Sequence, residues 1–166
     1  HSFRADGPRI LTVTAINEDG AFSTTKSLTV QNVAPAISDL TGTSTDEGGL
    51  STLTGRVADP GVGDTVTLSI DWGDGTPAET VVLPPGRSDF SVTHRFLDDP
   101  TPGTPSDPLT VVVTASDGTD STSAGTSLTV TNIAPVFGGV QISSPINEGG
   151  VAVLTGSLID PGVLDT

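Results

Sequence analysis

Apolar and polar residues alternate with a period of two in short runs along this chain, and the runs are separated by clusters of Gly, Pro, Asp and Ser. That period places successive side chains on opposite faces of an extended backbone and predicts strands. The stretch 65–72 is the clearest case: Val66, Leu68, Ile70 and Trp72 fall on one face, Thr65, Thr67, Ser69 and Asp71 on the other. Seven such runs follow one another, A at 36–43, B at 50–58, C at 65–72, D at 79–83, E at 89–96, F at 108–115 and G at 126–132. Abundant Thr, Ser and Val favour strands, and Gly and Pro punctuate turns, so the expected class is all-β.

The chain also repeats itself, which sets the architecture before any local reading does. Ser27-Leu28-Thr29-Val30-Gln31-Asn32-Val33-Ala34-Pro35 returns as Ser127-Leu128-Thr129-Val130-Thr131-Asn132-Ile133-Ala134-Pro135, 100 residues on. Glu47-Gly48-Gly49 returns at Glu148, and Asp59-Pro60-Gly61 with Asp64-Thr65 returns as Asp160-Pro161-Gly162 with Asp165-Thr166, each 101 residues on. His1 and Phe3 match His94 and Phe96 at the shorter distance of 93, the behaviour of a variable loop. Residues 1–34 therefore read as the C-terminal half, strands E to G, of a preceding repeat, 35–134 as a complete repeat, and 135–166 as the N-terminal half, strands A and B, of a following one. Seven strands at these intervals predict an immunoglobulin-like β-sandwich, in tandem.

At Asp71-Trp72-Gly73-Asp74-Gly75-Thr76, followed by Val92-Thr93-His94-Arg95-Phe96 and Leu109-Thr110-Val111-Val112-Val113-Thr114-Ala115-Ser116-Asp117, the sequence resembles the PKD (polycystic kidney disease) domain family. The complete repeat covers the whole of that pattern and the partial ones about half each. The resemblance implies an extracellular spacing, binding or adhesive module of bacterial surface or secreted proteins, without catalysis of its own. The long, Pro-rich connection from Leu97 to Pro108 departs from it.

Charge narrows the partners. Twenty acidic against six basic residues give a net charge of −14, which repels nucleic acid and anionic membrane surfaces and favours cations. There is no cysteine to form a disulfide, no run nears the roughly 20 apolar residues of a membrane span, and any export signal or anchor is expected outside residues 1–166. His1 and His94 share one repeat position and read as packing residues, and Trp72 reads as a core residue. The carboxylate pairs Asp98/Asp99 and Asp71/Asp74 are ordinary acidic loops before they are glycosidase machinery. The expectation is that the chain is not an enzyme.

Calcium is the sharper reading, because a hard cation takes six to eight oxygens from carboxylates, Asn and backbone carbonyls. In such a sandwich the A–B, C–D and E–F loops meet at one pole, which gathers Glu47, Asp71, Asp74, Asp98 and Asp99. The linker contributes Asn132, and the next module's B–C loop contributes Asp160 and Asp165. The preceding junction would assemble Asp6, Asn32, Asp59 and Asp64 in the same way. The arrangement is similar to the inter-module calcium sites of cadherins, in geometry and not in motif. The family resemblance implies a second arrangement inside the module, from Asp74 and Asp117. Against all of these stands the plain role of Asp-Gly and Asp-Pro-Gly as turn formers, most evident at Asp59 and Asp160.

The resulting expectation is a stiff, calcium-stabilised stalk, adhesin or fibre at a bacterial cell surface. Its partners are neighbouring modules, with homopolymerisation by strand complementation between the partial repeats as one arrangement and completion within one longer chain as the other. The alternative is a carbohydrate-binding accessory module of a secreted enzyme, with Phe22 and Phe137 as the loop-like aromatics available to a polysaccharide.

Overall fold

The computed structural model describes residues 2–101 and 103–162. Among them none is helical, and twelve strands form: β1 (Gly7–Asn17), β2 (Gly20–Val30), β3 (Ala36–Gly42), β4 (Thr45–Asp46), β5 (Leu50–Ala58), β6 (Val66–Asp71), β7 (Glu79–Leu83), β8 (Asp89–Arg95), β9 (Ser106–Ser116), β10 (Ser121–Thr131), β11 (Val136–Ile142) and β12 (Leu154–Ile159).

Strands β3 to β10 make a β-sandwich. One sheet has the order β4-β10-β9-β6-β7 and the other β3-β5-β8. Strict alternation builds the space between them: in β6 Val66, Leu68 and Ile70 are buried while Thr67 and Ser69 are exposed, and in β9 Leu109, Val111, Val113 and Ala115 are buried in turn. Leu53, Val57 and Phe90 close the core from the three-stranded sheet, and Trp72 and Phe96 fill the end nearest Glu47. Gly55 is required by this packing, since a Cβ there would lie 2.7 Å from Cζ of Phe90.

The chain crosses between the sheets after β3. Its backbone is not orphaned in the crossing: Ser51 Oγ donates to the Thr43 carbonyl (2.6 Å), the Thr52 amide to Thr43 Oγ1 (2.8 Å), and the Thr129 amide to Ser44 Oγ (3.0 Å). Beyond it β4 pairs parallel with the end of β10, Thr45 opposite Val130 and Asp46 opposite Thr131.

Strands B and D lie where the alternation puts them, and A, C and E within a residue at either end. The fourth strand, β7, pairs with β6 and forms an edge of the five-stranded sheet. F and G are longer than their apolar runs, because Ser106 to Ser116 pairs with Ser121 to Thr131 along eleven rungs, and the Ser/Thr/Gly stretch 121–126 carries little hydrophobic signal.

The hairpin β1–β2 repeats ten of the eleven rungs of the β9–β10 ladder, and β11–β12 repeats β3–β5 down to its bulge, with Asp39 and Gly139 both at positive φ (53° and 61°). The strand-E segment expected at the start of the chain does not form over residues 2–6. In the sandwich strand E is held by β5, and among the described residues no strand pairs with residues 2–6. His1 lies outside the described residues.

Candidate metal centre

Three connections meet at the pole of the sandwich that faces β11–β12. The turn after β4 donates from the Glu47 amide to the Thr131 carbonyl (2.9 Å) and from the Gly48 amide to the Phe96 carbonyl (2.7 Å), tying the A–B loop to both the end of β10 and the start of the E–F loop. The Asn132 amide donates to the Pro105 carbonyl (3.1 Å), which brings the linker against the same E–F loop. Glu47 Oε1 accepts the Ile133 amide (2.7 Å).

This backbone framework puts one carboxylate oxygen each from Glu47, Asp98 and Asp99 within 4.8 Å of one another, the one group of three or more potential metal ligands so close among the described residues. Glu47 and Asp99 are 2 % and 3 % exposed and Asp98 is half-buried, so little water screens the first two carboxyl groups. Asp98 Oδ1 and Asn132 Oδ1 are also buried, without hydrogen-bond partners among the described residues. Burial, with Asp107 and Asp98 nearby, holds the Asp99 carboxyl above its ordinary range. Four side chains on three separate elements thus bring hard oxygen donors together, and Glu47, Asp98 and Asp99 could hold a metal ion. The Asp160-Pro161 loop reaches the same place: the Pro161 carbonyl lies 3.4 Å from where a Cβ on Gly48 would be. Asp160 Oδ1 itself accepts the Gly162 amide (3.3 Å), a turn cap. Asp165 lies outside the described residues.

The E–F loop is shaped by an aspartate that sequence reasoning passed over. Asp107 Oδ2 accepts the Thr101 amide (2.7 Å), and Thr104 Oγ1 donates to Asp107 Oδ1 (3.0 Å). Burial pushes the Asp107 carboxyl upward, but these bonds outweigh it and leave the group below its usual range. An Asp six residues after a Thr in a Pro-rich loop was the available signal.

Asp71 and Asp74 share this end of the sandwich but not the carboxylate group. Asp71 Oδ1 accepts the Gly73 amide (3.0 Å) and caps the turn. Asp74 accepts from Thr76 N (3.0 Å) and Thr76 Oγ1 (2.6 Å), and its other oxygen meets His94 Nε2 at 2.8 Å. His94 Nδ1 meets Glu79 Oε1 at 3.1 Å, and the ring stacks on Trp72 with centroids 4.7 Å apart. A carboxylate only accepts, so each ring nitrogen bonds its partner only when it carries a proton. The clamp joins β8 of one sheet to the C–D turn and β7 of the other. Burial raises the Asp74 carboxyl, yet the Thr76 and His94 contacts prevail and hold it below the ordinary value. Gly73 (φ 77°) makes the turn possible, because a Cβ there would stand 2.6 Å from the Thr110 carbonyl oxygen. Gly73→Ala is expected to cost about 2 kcal/mol in a urea melt, more than the ~1 kcal/mol of a merely left-handed glycine.

The opposite pole gathers the other candidates. Asp64 is raised by burial and by the charges of Asp59, Asp6 and Asp117, so these four lie in one field. Asn32 Nδ2 donates to Asp117 Oδ2 (3.0 Å) and to Asp120 Oδ2 (2.8 Å), tying the linker to the F–G turn. The Asp120 contact was not anticipated. Burial raises Asp117, but the Asp120 amide, Asn32 and the Thr119 amide outweigh it and leave it low. Asp59 Oδ1 accepts the Gly61 amide (2.8 Å), the turn-forming role expected of it. Asp117 follows the end of β9 that pairs with Thr67, whereas Asp74 lies beyond the Asp71 end of β6. The two stand at opposite poles, and the arrangement inside the module from Asp74 and Asp117 does not assemble.

Trp72 is fully buried, and Phe22 and Phe137 lie in β2 and β11 rather than in loops. A comparison with family models finds no match, and neither does one with curated proteins.

Proposed function

We propose that this chain is a non-catalytic structural segment of an extracellular or cell-surface protein, built of tandem immunoglobulin-like, PKD-like modules whose junctions are stiffened by Ca²⁺. The observation that carries the reading is the buried trio Glu47, Asp98 and Asp99, drawn from the A–B and E–F loops at the point where the linker leaves the sandwich and the Asp160-Pro161 loop arrives. A cation there neutralises charges that otherwise oppose one another and bonds two loops, the linker and, through it, the following unit. Asn132 Oδ1 and Asp98 Oδ1 supply further oxygens. The opposite pole, with Asp6, Asn32, Asp59 and Asp64, supports the same logic one repeat earlier, though its Asn32 amide is engaged as a donor.

The test is a calorimetric titration of the chelator-treated protein with CaCl₂. Saturable binding that disappears in Glu47→Gln and persists in Asp71→Asn is expected. Equal heats for the wild type and Glu47→Gln would remove the junction from the account.

A further inference from the structure

A cavity of about 420 Å³ opens at the pole opposite the carboxylate trio, between the β5–β6 connection and the turn from β7 to β8. That volume lies within the roughly 300–1,000 Å³ of small-molecule sites. Val57 and Val66, 4 % and 5 % exposed, form its apolar floor. The lining carries four charged residues, Arg56 and Arg87 with Asp59 and Asp64, and they fall into two groups.

The arginines gather on one residue, Asp89 at the start of β8. Arg56 Nε meets Asp89 Oδ1 at 3.0 Å, and Arg87 Nε donates to the Asp89 carbonyl (3.1 Å). Both are held at Nε, so the Nη groups are what each has to offer an anion, and the planar guanidinium fork matches a carboxylate. Asp89 offsets one of the two charges and leaves the pair net positive. Only six residues of the chain are basic, and two of them converge here.

The carboxylates gather on Gly61. A Cβ there would strike Asp64 Oδ2 and stand 3.2 Å from Asp59 Oδ1. Asp59 Oδ1 is used by the Gly61 amide, but Asp59 Oδ2 is buried and accepts no hydrogen bond among the described residues. A buried acceptor in that condition calls for a donor. Asp64, raised by burial and by the charges of Asp59, Asp6 and Asp117, marks a field that favours a positively charged one.

An anion-binding pair and a cation-binding pair over one apolar floor match a ligand that carries both charges. We propose that this cavity binds a small zwitterion, an amino acid whose carboxylate lies on Arg56 and Arg87 and whose ammonium group lies on Asp59 and Asp64. Calcium at the preceding junction would compete for the same two carboxylates. Binding of the zwitterion needs no metal, so measurement in chelator separates its failure from that of the calcium reading.

The experiment is a calorimetric titration of the chelator-treated chain with amino acids of increasing charge separation, from glycine through β-alanine to ε-aminocaproate. Propionate and propylamine serve as single-charge controls. One member of the series is expected to bind at least about tenfold more tightly than either control, its length reporting the span between the two pairs. Arg87→Gln and Asp59→Asn are each expected to abolish that preference. Asp59→Asn keeps Oδ1 as an acceptor for the Gly61 amide, and emission from the buried Trp72 verifies the fold of both variants. Binding no tighter than the controls across the series overturns the proposal, as does a preference that survives in either variant. A uronate that binds more tightly than every amino acid also overturns it, and assigns the cavity to an acidic sugar.

Discussion

Saturating calcium is expected to raise the melting temperature of this protein by roughly 10–20 °C over chelator. A ligand that binds only the folded state stabilises by about 2.7 kcal/mol at a hundredfold excess over its Kd, and one kcal/mol moves a unit of this size by roughly 4–8 °C. Asp99→Asn separates the site's electrostatics from its chemistry. The folded-state pKa of Asp99 is raised, so its ionised form opposes folding, and that cost grows as pH rises through the folded value. In chelator at neutral pH the variant is expected to melt at or above the wild type. In calcium it is expected to lose the increment. Superimposable wild-type melts in the two buffers would leave the trio a strained acidic pocket with no ligand.

His94→Ala is the second large effect. It leaves the Asp74 and Glu79 carboxylates without their shared partner and removes the ring stacked on Trp72. Breaking a buried ion pair costs about 3–5 kcal/mol, and because the Glu79 side chain is 38 % exposed we expect about 3 kcal/mol, a fall of roughly 10–20 °C. His94→Phe keeps the stack but not the clamp. If it melts with the wild type, the carboxylate contacts contribute nothing. The Asp74 part of the clamp has a pH signature. Its folded-state pKa lies below the unfolded 3.8, so its contribution is whole above that value and disappears as pH falls through the folded one. The gap between wild type and Asp74→Asn is therefore expected to close only in strong acid.

The sandwich strands were legible because their alternation is strict, as in β6 and β9, where every second residue is buried. The repeats were legible because whole phrases recur, and the pairing registers recur with them. The first half of β10 was not, since Ser121 to Thr126 is placed by its rungs to β9 rather than by its own apolar pattern. At the candidate site, the choice among acidic residues was beyond the sequence. Asp71, the last residue of β6, and Asp74, Asp98 and Asp99, in loops, all stand at one pole, and only the hydrogen bonds separate turn formers from the buried cluster. A network such as Asp107–Thr101–Thr104 spans a few residues in irregular backbone, where no period announces it.

The parallel pairing of β4 with β10 decides how the protein meets a pulling force. Chain enters the sandwich at the Ala36 end of β3 and leaves it at the Thr131 end of β10, at opposite poles. Tension along the chain therefore drags β4 and β10 past each other lengthwise, loading their rungs and the Glu47–Thr131 bond together rather than peeling them one by one. The sheared seam ends at Glu47, so the same side chain that would hold an ion stands at the point where the sandwich would begin to tear.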